Sequence, residues 1–186
     1  MRDLQSLGPP YEEGADRNAV DRMLLALAVH PVGAALLRAH LLVWAPDRGR
    51  LEGWLSWVPP ARAPLADALR NARRTASAAT DVEGTRRLRE LPFDPATLEP
   101  LLARVWDSGE PETGMPDGGS APWSGAARVG VVRLVRSGRP YGLVVGEFAA
   151  GGRGEEARLA MLRDVAGTVL DAHARTESCR RGRERV

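Results

Sequence analysis

The chain contains no lysine; all 26 of its basic residues are arginine. That absence excludes the Gly-x-x-x-x-Gly-Lys phosphate loop, whose lysine reaches the bound phosphates. There is one cysteine, Cys179, so no internal disulfide forms and no zinc site of the paired-cysteine kind exists, which fits a reducing compartment. No Gly-x-Ser-x-Gly nucleophile elbow occurs, and His30, His40 and His173 lack metal-ligand spacing with each other or with carboxylates. No apolar run is long enough to cross a bilayer. The first residues lead into Gly8-Pro9-Pro10 and not into an apolar segment, so no secretory signal is read and a cytoplasmic location is expected. Phe and Tyr are scarce, two of each, which leaves five Trp as the main aromatic residues. The formal charge of +2 is small and the acidic residues are spread along the chain, so no nucleic-acid surface is expected. The one basic cluster is Arg180, Arg181, Arg183 and Arg185, within an Arg-rich tail over 178–186. It reads as a solvated tail, with nucleic-acid contact as the alternative.

What is present is enough for one ordinary domain. At 186 residues, with 44% hydrophobic and 27% charged side chains, the chain buries a core without metals or disulfides. Residues 1–14 read as a flexible leader and 15–177 as the domain. Asp16 caps a helix to about Val29, with Val20, Met23, Leu24 and Leu27 at helical spacing; His30-Pro31 ends it, and a short helical stretch follows over Val32–Leu37. Ala39–Trp44 is apolar on both faces, Pro46-Asp47-Arg48-Gly49 is turn chemistry, and Leu51–Val58 is the returning strand. Weaker helical patterns occupy 62–76 and 83–91. Asp94-Pro95 starts a helix whose stripe is Leu98, Leu101, Leu102, Val105 and Trp106, stopping near Gly109. Residues 107–125 are Gly-, Pro- and Ser-rich with little to bury, a lid or a disordered loop. A second hairpin joins Ala127–Val135 to Tyr141–Phe148, Gly151, Gly152 and Gly154 form a joint, and a final helix runs from Glu155 to about Glu177. Two locally paired hairpins with helices around them predict an α+β fold with a central antiparallel sheet.

The order and spacing of these pieces resemble the GAF domain, in particular the sensory GAF modules of bacterial histidine kinases. The stretch Leu37–Gly53 is similar to that family's first hairpin, with Leu37 standing where an Asn is usual. Leu101–Pro111 resembles the helix and Gly-x-Pro turn before its third strand, Tyr141–Gly146 its penultimate strand, and Glu155–Ala174 its closing helix. The resemblance spans about residues 16–176, and the Arg, Ala, Gly and Pro content fits a GC-rich bacterial genome. It implies terminal helices on one face of the sheet, often pairing as a homodimer, and a pocket on the other face roofed by middle helices and loops. It further implies a sensory role without catalysis. The chain would bind a small molecule or pass a signal to a partner such as a histidine kinase or regulator.

Known chemistries of such domains narrow the choice, and no cofactor is identified. Reduction of free methionine sulfoxide needs paired cysteines, and bilin attachment needs a pocket cysteine, whereas Cys179 lies beyond the expected domain. The cyclic-nucleotide subfamily's Asn-Lys-Phe-Asp-Glu set needs a lysine. Four residues remain as ligand-binding candidates. His40 is a core histidine with a hydrogen-bond partner or, alternatively, a haem or iron ligand. Trp44 and Trp106 read as core, while Trp57 and Trp123 stand open between core and pocket. Arg128, Arg133 and Arg136 interrupt an apolar strand; an exposed sheet edge accounts for them, with an inward Arg133 binding an anion as the alternative. A pocket filled by the chain's own side chains would make the domain an interaction or dimerisation scaffold instead.

Overall fold

The computed structural model describes residues 15–59, 64–74, 80–94, 98–116, 118–150 and 153–183. The leader, Pro95, Gly151 and Gly152, and the last residues of the tail lie outside them. Helix α1 spans Ala15–Val29, so Asp16 sits inside its first turn. Strands β1 (Arg38–Ala45) and β2 (Arg50–Trp57) make the first hairpin, and β5 (Arg128–Arg136) and β6 (Arg139–Phe148) the second. Between the hairpins come α2 (Leu65–Arg74), α3 (Val82–Glu90), β3 (Pro92–Phe93), α4 (Pro100–Ser108) and β4 (Glu112–Gly114). Helix α5, Glu155–Arg183, closes the chain.

All strands join one sheet in the order β3-β2-β1-β6-β5-β4, with every pairing antiparallel. The hairpins meet along β1 and β6, where Leu41 faces Val144. In the second hairpin Ser137 (φ 51°) and Gly138 (φ 74°) both take positive φ, the backbone that matches strand twist in a two-residue turn.

One side of the sheet is covered by α1 and α5. Leu25, Val29, Leu41, Val132, Leu134, Val144, Leu159, Leu162 and Leu170 are buried there together. Helix α2 joins this layer and not the opposite one: Ala72 belongs to the same cluster, and Arg22 Nε donates to Ala72 O at 2.7 Å. The other side is covered by α3, α4 and the turn over 118–127, around Leu42, Leu51, Leu88, Leu101, Leu102, Val105, Trp123 and Val131. Burying apolar area on both faces supplies most of the driving force, at about 25 cal/mol per Å².

The structure departs from the sequence reading in four places. Val32–Leu37 is a turn and not a helix: His30 O accepts from the amides of Gly33 and Ala35, and Ala35 takes φ 53°, which a helix does not allow. Helix α4 starts at Pro100, whose missing N–H costs nothing at the first helical position, and Leu98 precedes it. The 107–125 segment is not bare loop, because β4 pairs with β5 and Ala121 and Trp123 are buried. β5 is a sheet edge only beyond Val131, because β4 pairs with Val129–Val131 alone; Arg133 and Arg136 lie on that edge, beyond β4. Finally, α5 continues through part of the expected tail to Arg183. Thr176 and Ser178 return hydrogen bonds to the carbonyls of Ala172 and Ala174, and no Pro interrupts the run.

Candidate functional site

His40 lies mid-strand on β1 with its side chain on the α3–α4 side of the sheet, fully buried. Its Nδ1 is 2.8 Å from Ser56 Oγ on the neighbouring strand and its Nε2 is 3.1 Å from Glu147 Oε1 on the other neighbour. With Glu147 accepting as a carboxylate, Nε2 carries the proton and Nδ1 accepts from the Ser56 hydroxyl, which assigns the tautomer from the network. Burial pushes the imidazole pKa below its ordinary 6.5, and this outweighs the opposing pull of Glu147. His40 is therefore neutral at pH 7.

The network continues on both sides. Ser56 N–H donates to Thr85 Oγ1 at 2.9 Å, and Ser56 O accepts from Asp81 N–H at 3.0 Å. Asp81 Oδ1 caps α3 by accepting from Gly84 N–H at 2.8 Å, the usual duty of an aspartate before a helix. Arg38 closes the line, with Nε 3.2 Å from Asp81 Oδ2 and Nη1 3.5 Å from Glu147 Oε1. A polar chain thus crosses three strands beneath the helical layer.

Carboxylate, imidazole and hydroxyl in series is the arrangement that activates a nucleophile. Here Ser56 is fully buried and its own amide is already committed to Thr85. Among the described residues, no three His, Cys, Asp or Glu side chains gather into a metal-binding group. Both His40 nitrogens are engaged, so neither is presented to an iron atom.

Trp123 covers His40. The two ring centroids are 5.4 Å apart at 56°, and the Phe93 ring lies 5.9 Å from Trp123 at 24°, a stacked arrangement. The indole Nε1–H donates to Glu99 Oε2 at 3.2 Å, just ahead of α4. The indole is fully buried although its segment is at the surface: Gly118, Gly119, Ser120 and Gly125 are exposed.

The other two candidates stand elsewhere. Trp57 is buried on the opposite face, among the α1–α2 residues, and among the described residues its Nε1–H has no hydrogen-bond partner. Arg133 turns toward the C-terminus of α4, where Nη1 donates to Trp106 O at 2.5 Å and to Asp107 O at 3.5 Å. A guanidinium there satisfies carbonyls the helix leaves open and complements its negative end. Gly109 takes φ 78° beside it and ends the helix, its N–H bonded to Val105 O.

The structure therefore brings His40 and Trp123 together and leaves Trp57 and Arg133 apart from them. It adds Ser56, Glu147, Glu99 and Phe93, which the sequence reading passed over. Glu147 alone carried a signal, as the one charge inside the strand Tyr141–Phe148.

No protein-family model and no curated protein matches the chain. Solved structures do. A GAF domain/HD domain protein from Geobacter sulfurreducens is similar at TM-score 0.50 and 16% identity, over 87% of this chain and 94% of that one. Residues 122 to 287 of a methyl-accepting chemotaxis protein match at TM-score 0.50 and 11% identity, over 84% and 89%. The free methionine-R-sulfoxide reductase of Neisseria meningitidis, solved with its substrate, matches at TM-score 0.49 and 12% identity, over 88% and 83%. The chain has a GAF-like α+β fold.

Proposed function

We propose that this chain is a sensory or regulatory domain of signal transduction, without catalysis of its own, that binds a small molecule on the α3–α4 face or relays a signal to a partner protein. One observation carries the reading: the two faces of the sheet are built differently. The α3–α4 face holds a polar chain and a buried indole on an exposed turn. The other face seats α5 through Leu159, Leu162, Ala166 and Leu170, and the helix then continues beyond Leu170 to Arg183. A 29-residue helix is about 43 Å long, enough to report movement of the domain beyond its core. Similarity to a GAF domain/HD domain protein and to a chemotaxis-protein fragment supports signalling as the context. A histidine kinase or regulator is the kind of partner proposed.

We take α5 as the homodimer seam. Residues 19–29 of α1 are largely covered by neighbours, whereas α5 exposes Met161 and Val165 on its outer side, with Thr168 and Ala172 continuing that stripe. A cytoplasmic location is proposed with this reading; among the described residues, no helix is long and apolar enough to cross a membrane. No nucleic-acid partner is proposed. A gel shift lost on deleting residues 178–186 would reverse that.

Trp123 favours a second reading, a pocket filled by the chain itself and a purely scaffolding role. Native mass spectrometry of protein purified from cells, with a thermal-shift screen of nucleotides and metabolites, decides between them. A bound small molecule or a shifted midpoint supports the sensor. Silence in both supports the scaffold.

A further inference from the structure

We propose that the tip of the β5–β6 hairpin is a releasable clasp on α5, and that opening it frees the helix beyond Leu170. This rests on the sensory reading above, in which α5 carries the output, and adds how that output is restrained. The side of α5 that faces the domain changes character along its length. Leu159, Leu162, Ala166 and Leu170 pack on the sheet, and the next positions at that helical spacing are His173 and Glu177. No leucine follows Leu170 in the chain. Polar contacts to the hairpin tip hold the helix there instead.

The first contact is an ion pair. Arg136 Nη2 donates to Glu177 Oε2, and the two side chains are only 25% and 23% exposed. Partial burial weakens screening by solvent, so this pair holds more firmly than one at the open surface. The second contact is the amide of Ser137, which donates to Asp171 Oδ1 at 2.6 Å. Ser137 opens the two-residue turn, with φ 51°, and Arg136 and Arg139 pair across it. Such a turn gives that amide no acceptor within the hairpin, and the Asp171 carboxylate supplies one. Both contacts are charge-assisted and both end on carboxylates of α5. Because they lie past the leucine seating, the turns from Asp171 onward open as a unit of their own.

The test is amide hydrogen exchange along α5 in the full chain. In Asp171→Ala with Glu177→Gln, amides 172–179 should exchange about fivefold or more faster, with Leu159–Leu170 within about twofold of the unaltered chain. Helix propensity alone predicts the opposite sign, since Ala favours helix over Asp and Gln is close to Glu. Arg136→Glu should give the same local acceleration. Joining it to Glu177→Arg reverses the pair and should return the rates to within about twofold of the unaltered chain. Three results overturn the proposal: unchanged or slower exchange over 172–179, acceleration shared equally by Leu159–Leu170, or a reversed pair that does not restore the rates. The measurement needs no ligand, so it separates the two levels. A confirmed clasp with silence from mass spectrometry and thermal shift supports the clasp and counts against the sensory reading. A failed clasp removes this proposal and leaves that reading to those measurements.

Discussion

Leu41 on β1 and Val144 on β6 lie opposite each other across the seam that joins the two hairpins, both buried under the α1–α5 layer. The pair makes one sheet of two locally folded ribbons. Leu41→Ala should destabilise the domain by about 2–5 kcal/mol in urea unfolding. Combined with Val144→Ala it should deviate from additivity by about 0.5 kcal/mol or more, since cross-strand partners share one site. Strictly additive losses would mean the seam is not a packed unit.

His40 predicts a pH dependence. Its folded-state pKa lies below the ordinary 6.5 because burial outweighs Glu147 on β6, Asp81 before α3 adds a further pull upward, and Arg38 on its own strand acts with the burial. As pH falls through about 6.5 the unfolded chain takes up the proton first, so stability present above that pH is lost on the way down. In His40→Gln the slope of unfolding free energy between pH 7 and pH 5 should flatten. An unchanged slope would show that His40 does not titrate in this way.

Arg133 is expected to act as a helix cap. Arg133→Met leaves Trp106 O and Asp107 O without their donor and should cost about 1–2 kcal/mol, with faster amide exchange at the end of α4. Phosphate should shift the melting midpoints of the variant and of the unaltered chain equally. A shift specific to the unaltered chain would instead indicate an anion site.

The proposed α5 seam is tested by Met161→Glu with Val165→Glu. Both positions are exposed, 37% each, so the fold should keep its stability within about 0.5 kcal/mol. Sedimentation should show a dimer for the unaltered chain and a monomer for the variant; a monomer for both would remove the seam.

The hairpins were legible in the sequence because their information is local. Leu41-Leu42-Val43 is followed by turn residues, and Ser137-Gly138 sits between two apolar runs. Helix α5 was legible for the same reason, through Leu159, Leu162, Ala166 and Leu170. What escaped depended on distant partners. Glu112-Thr113-Gly114 has no strand pattern and becomes β4 only because β5 lies alongside. Trp123 is buried by Phe93 and His40, far from it in sequence, and the site carboxylates Glu99 and Glu147 look like any surface glutamates until the sheet assembles. Val32–Leu37 has apolar residues at helical spacing, yet the amides of Gly33 and Ala35 turn back to His30 O.

The central claim is that the α3–α4 face and α5 are coupled through the sheet they share. Two contacts make the connection. Gly130 on β5 lets Leu159 of α5 approach the strand that carries Val129 and Val131 to the other face, and Arg163 Nη1 meets Glu110 Oε2 beyond α4 at 2.7 Å. Hydrogen exchange of Trp123→Ala against the unaltered chain tests this most directly, because the change is confined to one face. The account predicts that α5 amides between Leu159 and Leu170 lose about 0.5–2 kcal/mol of opening free energy. Faster exchange limited to β3, α4 and residues 118–131, with α5 at its original rates, would contradict it.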